Sequence, residues 1–92
     1  MENINQLRKR IDEVDEQILH SLSTRTEICK SIGLLKKKQK IPIKDLPRES
    51  NVYTQIRKKA AALGLDPVQV EAIYRRIVNM CSAVQELEEK RE

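Results

Sequence analysis

Residues 4–38 read INQLRKRIDEVDEQILHSLSTRTEICKSIGLLKKK, with no proline and a single glycine, Gly33. Apolar side chains recur along this stretch, at first alternately three and four residues apart, which is the spacing of a helix that packs against other helices. They are Ile4, Leu7, Ile11, Val14, Ile18, Leu22, Ile28, Ile32 and Leu35. Such a helix would be roughly 50 Å long, whereas a compact chain of this length has a diameter of roughly 30 Å. The chain therefore cannot cover its own first helix, and we expect a second identical subunit to do so.

The composition predicts one small helical domain over residues 1–92. Charged residues make up 35% of the chain, and the aromatic residues are two tyrosines without Trp or Phe, so one copy alone buries a thin core. No apolar run approaches the roughly 20 residues of a membrane span, and the amino terminus lacks the core of a signal peptide. Cys29 and Cys81 have no disulfide or zinc spacing, and His20 is the only histidine. We therefore expect a cytoplasmic protein with two separate reduced thiols, no metal site and no membrane partner.

Two more helices follow the first. Pro42 pushes the preceding residue out of the helical region, so the first helix ends before it. Asp45 is a suitable cap for a second helix, Gly64 is a natural residue to end it, and Asp66 is a suitable cap for a third. The third helix again carries apolar residues three and four apart, at Val70, Ile73, Ile77, Met80, Val84 and Leu87. We predict an all-α fold with three helices of about 35, 18 and 24 residues.

Two cations interrupt the apolar face of the first helix. The spacing calls for a hydrophobic residue near position 25, where Arg25 stands. An arginine that faces a core is costly unless an anion pairs with it, although an internal salt bridge or a side chain that reaches solvent would also explain it. Lys36 lies within roughly 20° of the same face and roughly 16 Å along the axis. Alone it would be a solvated lysine; together with Arg25 it leaves room for a small dianion.

Arg8 lies on the same helix, but roughly 25 Å from Arg25 and on a different face. It cannot reach a ligand that Arg25 of its own subunit holds. In an antiparallel pair of long helices it could approach the middle of the other copy. The alternative is an ordinary surface arginine.

Further candidates lie at the start of the second helix and late in the third. Asp45, Arg48 and Glu49 are explained by capping and surface charge, yet a loop after a rigid helix is also where ligand-binding residues are often found. Gln85 lies four residues after Cys81 beside the apolar seam of the third helix. There its amide could donate and accept hydrogen bonds away from water, unless it is simply exposed near the end of the helix.

The sequence lacks the residue sets that several kinds of catalysis require. The sequence has no metal-ligand set, no Ser–His–Asp arrangement, no phosphate-binding glycine loop and no carboxylate pair at helical spacing. An enzyme built from these residues would depend on positioning and on electrostatic stabilisation by cations and amides. The basic run Lys36–Lys40 would suit a nucleic-acid-binding module, but stacking aromatics are nearly absent and acids are interleaved with the positive charge. We therefore expect no nucleic-acid partner.

Residues along nearly the whole chain form one ordered set. They are Leu7-Arg8-Lys9-Arg10-Ile11, Asp15-Glu16, Arg25, Gly33, Lys36, Ile41-Pro42-Ile43, Asp45-Leu46-Pro47-Arg48-Glu49 and Gln85. In this order and spacing they resemble the all-helical chorismate mutases. The resemblance implies an intertwined homodimer of three-helix subunits whose long first helices pair, with one arginine of each site contributed by the partner. It also implies an isomerase of aromatic amino-acid biosynthesis that converts chorismate to prephenate by a [3,3] rearrangement without a cofactor.

The resemblance also implies a role for individual residues. Arg25 and the partner subunit's Arg8 would hold the two substrate carboxylates, and Arg48 would assist on the carboxylate side. Lys36 and Gln85 would donate hydrogen bonds to the ether oxygen, which gains negative charge as the C–O bond breaks.

The remaining assignments concern the ring hydroxyl and one carboxylate contact. Glu49 and the neighbourhood of Asp45 would bind the hydroxyl. Cys81 stands where the family often has a hydroxyl residue, and a thiol is a weaker donor, so either Cys81 or Ser82 would contact a carboxylate. The alternative activity on the same fold is that of an isochorismate–pyruvate lyase, which would release salicylate and pyruvate instead of prephenate.

Overall fold

A computed structural model describes residues 1–91 and contains three α-helices in that range. They are α1 (Ile4–Gln39, 36 residues), α2 (Leu46–Ala62, 17 residues) and α3 (Pro67–Lys90, 24 residues). The predicted all-α fold with three helices and a very long first helix is confirmed. No helix within residues 1–91 has the length and apolar character needed to cross a membrane.

Side chains next to each helix satisfy its first free N–H groups. Asp45 and Asp66 cap α2 and α3. The start of α1 has a capping box, in which Gln6 N donates to Asn3 Oδ1 at 2.9 Å and Asn3 N donates to Gln6 Oε1 at 2.8 Å. Local chemistry therefore decides where each helix begins.

Two residues with positive φ end the first two helices. Gly64, which follows the C-cap residue Leu63 of α2, has a φ of 75°, a value that glycine adopts without strain. Lys40 has a φ of 57° after α1, where Ile41 N donates to Lys36 O at 2.8 Å. A lysine in this left-handed conformation costs about 1–2 kcal/mol that glycine would not. The turn after α1 is therefore strained, and it leads directly into the loop that reaches α2.

α3 lies between the other two helices, because both α1 and α2 pack against it, whereas within residues 1–91 they do not pack against each other. α1 and α3 run parallel. Cys29 is next to Cys81, and one turn further along both helices Gly33 is next to Gln85. This parallel register is what brings the middle of α1 to the second half of α3.

The two cysteines form a disulfide, with Cα atoms 5.4 Å apart and 52 residues between them in sequence. Our expectation of two separate reduced thiols is wrong. Spacing rules identify zinc motifs and disulfides between residues close in sequence. They cannot predict a disulfide that depends on how two parallel helices are aligned.

One chain buries few apolar side chains. Among the described residues, Cys29, Tyr53, Ala60 and Val78 form the buried core. The radius of gyration is 16.6 Å and the longest axis is 57 Å, compared with a radius of about 12 Å for a compact chain of this length. The first helix therefore extends well beyond the rest of the bundle, as its length predicted.

The amino-terminal seam, defined as Ile4, Leu7, Ile11, Val14 and Ile18, is exposed along its whole length. The exposed fraction is 64% at Ile4 and 59% at Ile11. On α3, three residues of the predicted seam are exposed as well: Ile73, Met80 and Leu87. Large apolar residues at regular spacing on a surface are typical of an interface with another protein chain.

An ion-pair network joins α2 to α3. Arg57 donates to Glu71, and Arg75 Nε donates to Glu71 Oε2 at 3.0 Å. The Arg75 guanidinium also lies 4.3 Å from the centre of the Tyr53 ring. Hydrogen bonds from Arg57, and then from Arg75, lower the pKa of the Glu71 carboxyl below its usual value. The network links the second half of α2 to the first half of α3.

Candidate active site

A cavity of about 430 Å³ lies between α1, the start of α2 and the second half of α3. That volume is within the usual range for small-molecule sites. Its wall includes the following residues that the resemblance assigned: Arg25, Lys36, Asp45, Arg48, Glu49, Cys81, Ser82 and Gln85. Arg8 is absent from this wall. The rest of the wall is mostly apolar, with Ile28, Ile32, Val52 and Val78 among its residues.

Three cations face this cavity: Arg25, Lys36 and Arg48. Within residues 1–91, none of them has a carboxylate oxygen within 4.0 Å. Lys36 Nζ donates to the carbonyl oxygen of Ile43 at 2.9 Å, which holds the ammonium group at the edge of the cavity. The internal salt bridge that could have explained Arg25 is thus not formed by the described residues. The arrangement is suited to a ligand with two negative charges.

Gln85 brings a neutral amide into the apolar part of the wall. Its side chain is 5% exposed, so it is not a solvated residue near a helix end. Its Nε2 donates to Cys81 Sγ at 3.1 Å, while its Oε1 is buried without a hydrogen-bond partner in the described structure. A buried amide with unused hydrogen-bonding capacity is costly in a single chain and is available to a ligand.

Gly33 allows α3 to come this close to α1. A Cβ at Gly33 would lie 3.0 Å from Gln85 Cα and 3.2 Å from Gln85 Cγ, closer than ordinary van der Waals contact. The sequence shows Gly33 as the single glycine of the long helix and as part of the family pattern, but it does not reveal this contact. The available signal was a glycine inside a helix, which costs about 1 kcal/mol relative to alanine and therefore needs a packing reason.

The two carboxylates at the start of α2 differ in the hydrogen bonds that they already accept. Asp45 Oδ1 accepts a hydrogen bond from Arg48 N at 3.0 Å and so caps the helix. Glu49 Oε2 is buried without a hydrogen-bond partner, and its nearest cation is Lys44 Nζ at 3.7 Å. Glu49 is therefore the carboxylate that is free to accept a hydrogen bond from a ligand.

Arg25 also borders two shallow grooves outside the cavity. One, of about 360 Å³, lies between α1 and α3 and includes Val14, Ile18 and Ile77. The other, of about 380 Å³, lies along α1 beside His20. Uncovered apolar surface therefore continues from the amino-terminal seam to the rim of the cavity at Arg25.

Three lysines of the basic run, Lys36, Lys37 and Lys40, border an adjoining open groove of about 940 Å³. Glu86 and Glu89 of α3 line the same groove, so acidic groups face the lysines. That no nucleic acid binds to this chain stays a prediction from the sequence.

Comparison with known proteins finds relatives that match most of the chain and agree with the resemblance. Residues 7–86 match the family described as chorismate mutase type II. The chain is 35% identical over 88 residues, 92% of its length, to a bifunctional chorismate mutase/prephenate dehydratase of Aquifex aeolicus, of which it covers 24%. It is 38% identical over 58 residues, 63% of its length, to a chorismate mutase of Methanocaldococcus jannaschii, of which it covers 59%.

A third relative is the T-protein of Enterobacter agglomerans, 36% identical over 72 residues, which are 78% of this chain and 19% of that protein. The chain thus spans between about one fifth and three fifths of the length of these relatives. The family match nevertheless contains all of α2, most of α1 and α3, and every residue that lines the cavity. On this match, the chain belongs to the chorismate mutase type II family.

Proposed function

We propose that this chain catalyses the rearrangement of chorismate to prephenate without a cofactor, as a step of aromatic amino-acid biosynthesis. The observation that carries the proposal is one cavity in which Arg25, Lys36 and Arg48 have no carboxylate partner among the described residues and a buried amide faces the same space. Chorismate is a compact dianion with an ether bond to break. Cations without internal partners bind such a substrate without first giving up an ion pair.

The cations act by holding the substrate in its reactive shape. Arg25 and Arg48 bind carboxylate groups, and forked guanidinium groups do so with defined geometry. Because the rearrangement needs the two ends of the substrate side by side, fixing that conformation removes an entropic part of the barrier. No proton has to move in this step, so the carboxylates in the wall need not act as general bases.

Lys36 and Gln85 stabilise the ether oxygen as it gains negative charge. An ammonium group has three N–H donors, so Lys36 can keep its bond to the Ile43 carbonyl and still donate to the substrate. The amide of Gln85 has two N–H donors, and the contact with Cys81 uses one of them. Donors that are already oriented before the reaction stabilise the transition state more than the ground state.

Glu49 is the residue we assign to the ring hydroxyl, since its buried Oε2 has an unused acceptor. Asp45 stays close to this end of the cavity but already accepts from the backbone of Arg48. Ser82 also lines the wall, and we assign it the minor carboxylate contact when the Cys81 sulfur carries no hydrogen.

We further propose an intertwined homodimer in which the partner subunit's Arg8 completes the site. The support is the exposed amino-terminal seam, together with the apolar grooves that run from it to the rim of the cavity at Arg25. A second copy that covers this surface would lie against the open side of the cavity. Arg8 of the same chain does not line the cavity, so a contribution from its own subunit has no support.

A cytoplasmic location stays a prediction from the sequence. The pairing of Cys29 with Cys81 removes one of its supports, because lasting disulfides are typical of oxidising compartments. Disulfides that form in a reducing compartment are usually transient and sensitive to redox conditions.

A chorismate-consumption assay with product identification by NMR tests the proposal. We expect prephenate as the product, a loss in kcat of about 100- to 1,000-fold in Gln85→Ala, and a comparable loss in Lys36→Ala, because each variant loses one donor to the ether oxygen. Gln69→Ala and Lys38→Ala are the matched controls, since both side chains are exposed on the same two helices and outside the cavity. Wild-type kcat in Gln85→Ala, or formation of salicylate and pyruvate from isochorismate in place of this reaction, would contradict it.

A further inference from the structure

The disulfide lies in the wall of the candidate active site. Both Cys29 and Cys81 line the cavity of about 430 Å³. Cys29 is 3% exposed, whereas Cys81 is only half-buried and is the sulfur that a small molecule can approach. A disulfide is therefore in contact with the space that the substrate would occupy.

Each sulfur is also next to a group that the proposed function assigns to the substrate. Gln85 Nε2 donates to Cys81 Sγ at 3.1 Å. Arg25 is oriented toward the other sulfur, with one guanidinium nitrogen 3.8 Å from Cys29 Sγ. A change at the sulfur pair therefore acts directly on both ends of the substrate site.

Reduction changes both the shape and the hydrogen bonding of the wall. Non-bonded heavy atoms need about 3.5–4.0 Å between them, so two separate thiol sulfurs must move apart. Cys29 is enclosed. One turn further along the contact between α1 and α3, the backbone of α3 already lies close to Gly33. The half-buried Cys81 side chain is the one with room to turn, and the room lies in the cavity. Its thiol then carries an S–H donor, which a disulfide sulfur lacks.

We propose that Cys29 and Cys81 form a redox site of the cavity, in which the dithiol form binds the substrate dianion and the disulfide form binds it less tightly. This inference rests on the proposed function. The reductant is a thiol compound with two S–H groups. One of its sulfurs attacks Cys81 Sγ, the bond to Cys29 breaks, and Cys29 leaves with the electron pair and takes up a proton. The second thiol of the reductant then displaces Cys81, so the protein gains two electrons and two protons and the reductant becomes a disulfide.

The test compares the full chain in two redox forms. One sample is oxidised with glutathione disulfide and the other is reduced with dithiothreitol, and both are freed of reagent. Thiols are counted in denaturant and the protein mass is measured. The first sample should have no thiols and no added mass from glutathione, and the second should have two thiols. In the chorismate assay we expect a KM about fivefold higher for the disulfide form, as for loss of a weak hydrogen bond to a charged group, with a smaller change in kcat.

Two variants separate the bond from other effects of the reagents. Cys81→Ser keeps a donor but cannot form the bond, and its remaining cysteine, Cys29, is enclosed. The double variant Cys29→Ala/Cys81→Ser has no thiol left to react with glutathione. We expect the KM of each variant to be the same after either treatment.

The possible failures can be told apart. Equal KM values for wild-type samples with zero and two thiols would overturn the redox inference and leave the proposed function standing. The same holds if the two thiols cannot be joined in the folded protein. Absence of chorismate turnover in both forms would instead overturn the proposed function, on which the inference rests.

Discussion

Replacing Gly33 with alanine adds one methyl group at the point where α1 and α3 are closest. The new Cβ would lie 3.0 Å from Gln85 Cα, and ordinary contact begins near 3.4 Å. The nearest atom belongs to the backbone, so rotation of a side chain cannot relieve the clash. α3 must withdraw by about 0.4 Å or more at Gln85, and its amide moves with it.

The size of the effect follows from this shift. A misplacement of 1 Å in a catalytic arrangement costs about 100-fold in rate, so a shift of this size predicts a fall in kcat of about five- to tenfold. Alanine is favoured over glycine in a helix by about 1 kcal/mol, whereas overpacking costs about 1–3 kcal/mol. The net change in the free energy of unfolding is therefore a loss of about 0–2 kcal/mol, and the variant should fold.

The assay measures kcat and KM for Gly33→Ala, for Gln85→Ala and for the double variant. If Gly33 acts only by placing the amide, then adding Gly33→Ala to Gln85→Ala should cost little more, because the group that it positions is already gone. Ser31→Ala is the control, since it introduces the same residue at an exposed position two residues away. A folded Gly33→Ala protein with wild-type kcat would refute this reasoning, as would full additivity in the double variant.

Three further predictions concern stability and assembly. Lys40→Gly should raise the free energy of unfolding by about 1 kcal/mol in urea titrations, because glycine adopts the positive φ without strain; an unchanged midpoint would contradict this. Arg57 and Arg75 lower the pKa of Glu71 in the folded protein. The ionised Glu71 therefore stabilises the fold fully above the pKa of the unfolded chain, about 4.3, and this stabilisation is lost as the pH falls through the lower pKa of the folded state. Glu71→Gln should flatten this acid limb of the stability profile, and a limb of unchanged steepness would count against it. Ile11→Asp places a charge in the amino-terminal seam and should shift sedimentation from dimer to monomer, with loss of activity; an active dimer would disprove the proposed interface.

The helices could be predicted because their signals are local. Apolar residues at helical spacing, Asp45 and Asp66 as caps and Gly64 as a terminator all act within a few residues, and each is found where the sequence places it. The unusual length of α1 could be predicted in the same way, since nothing in residues 4–38 interrupts it.

Only the family resemblance could predict that the candidate site residues line one cavity. Periodicity alone cannot show which faces of the three helices meet. The disulfide and the Gly33 contact could not be predicted from the sequence, and they have one common cause. Both arise from the parallel register of α1 and α3, which pairs residues 52 positions apart. The free acceptor on Glu49 and the carbonyl of Ile43 that holds Lys36 likewise exist only once the loop has folded against α1.

The 57 Å length of this slender chain also affects how the protein responds to dilution. Residues 4–18 are exposed in the single chain, so in the homodimer that we propose the order of that segment and the pairing of subunits would be a single equilibrium. Specific activity should therefore fall as the protein concentration drops below the dissociation constant, long before the carboxy-terminal helices lose their structure. Measurements made at very low enzyme concentration would then report on association as much as on chemistry.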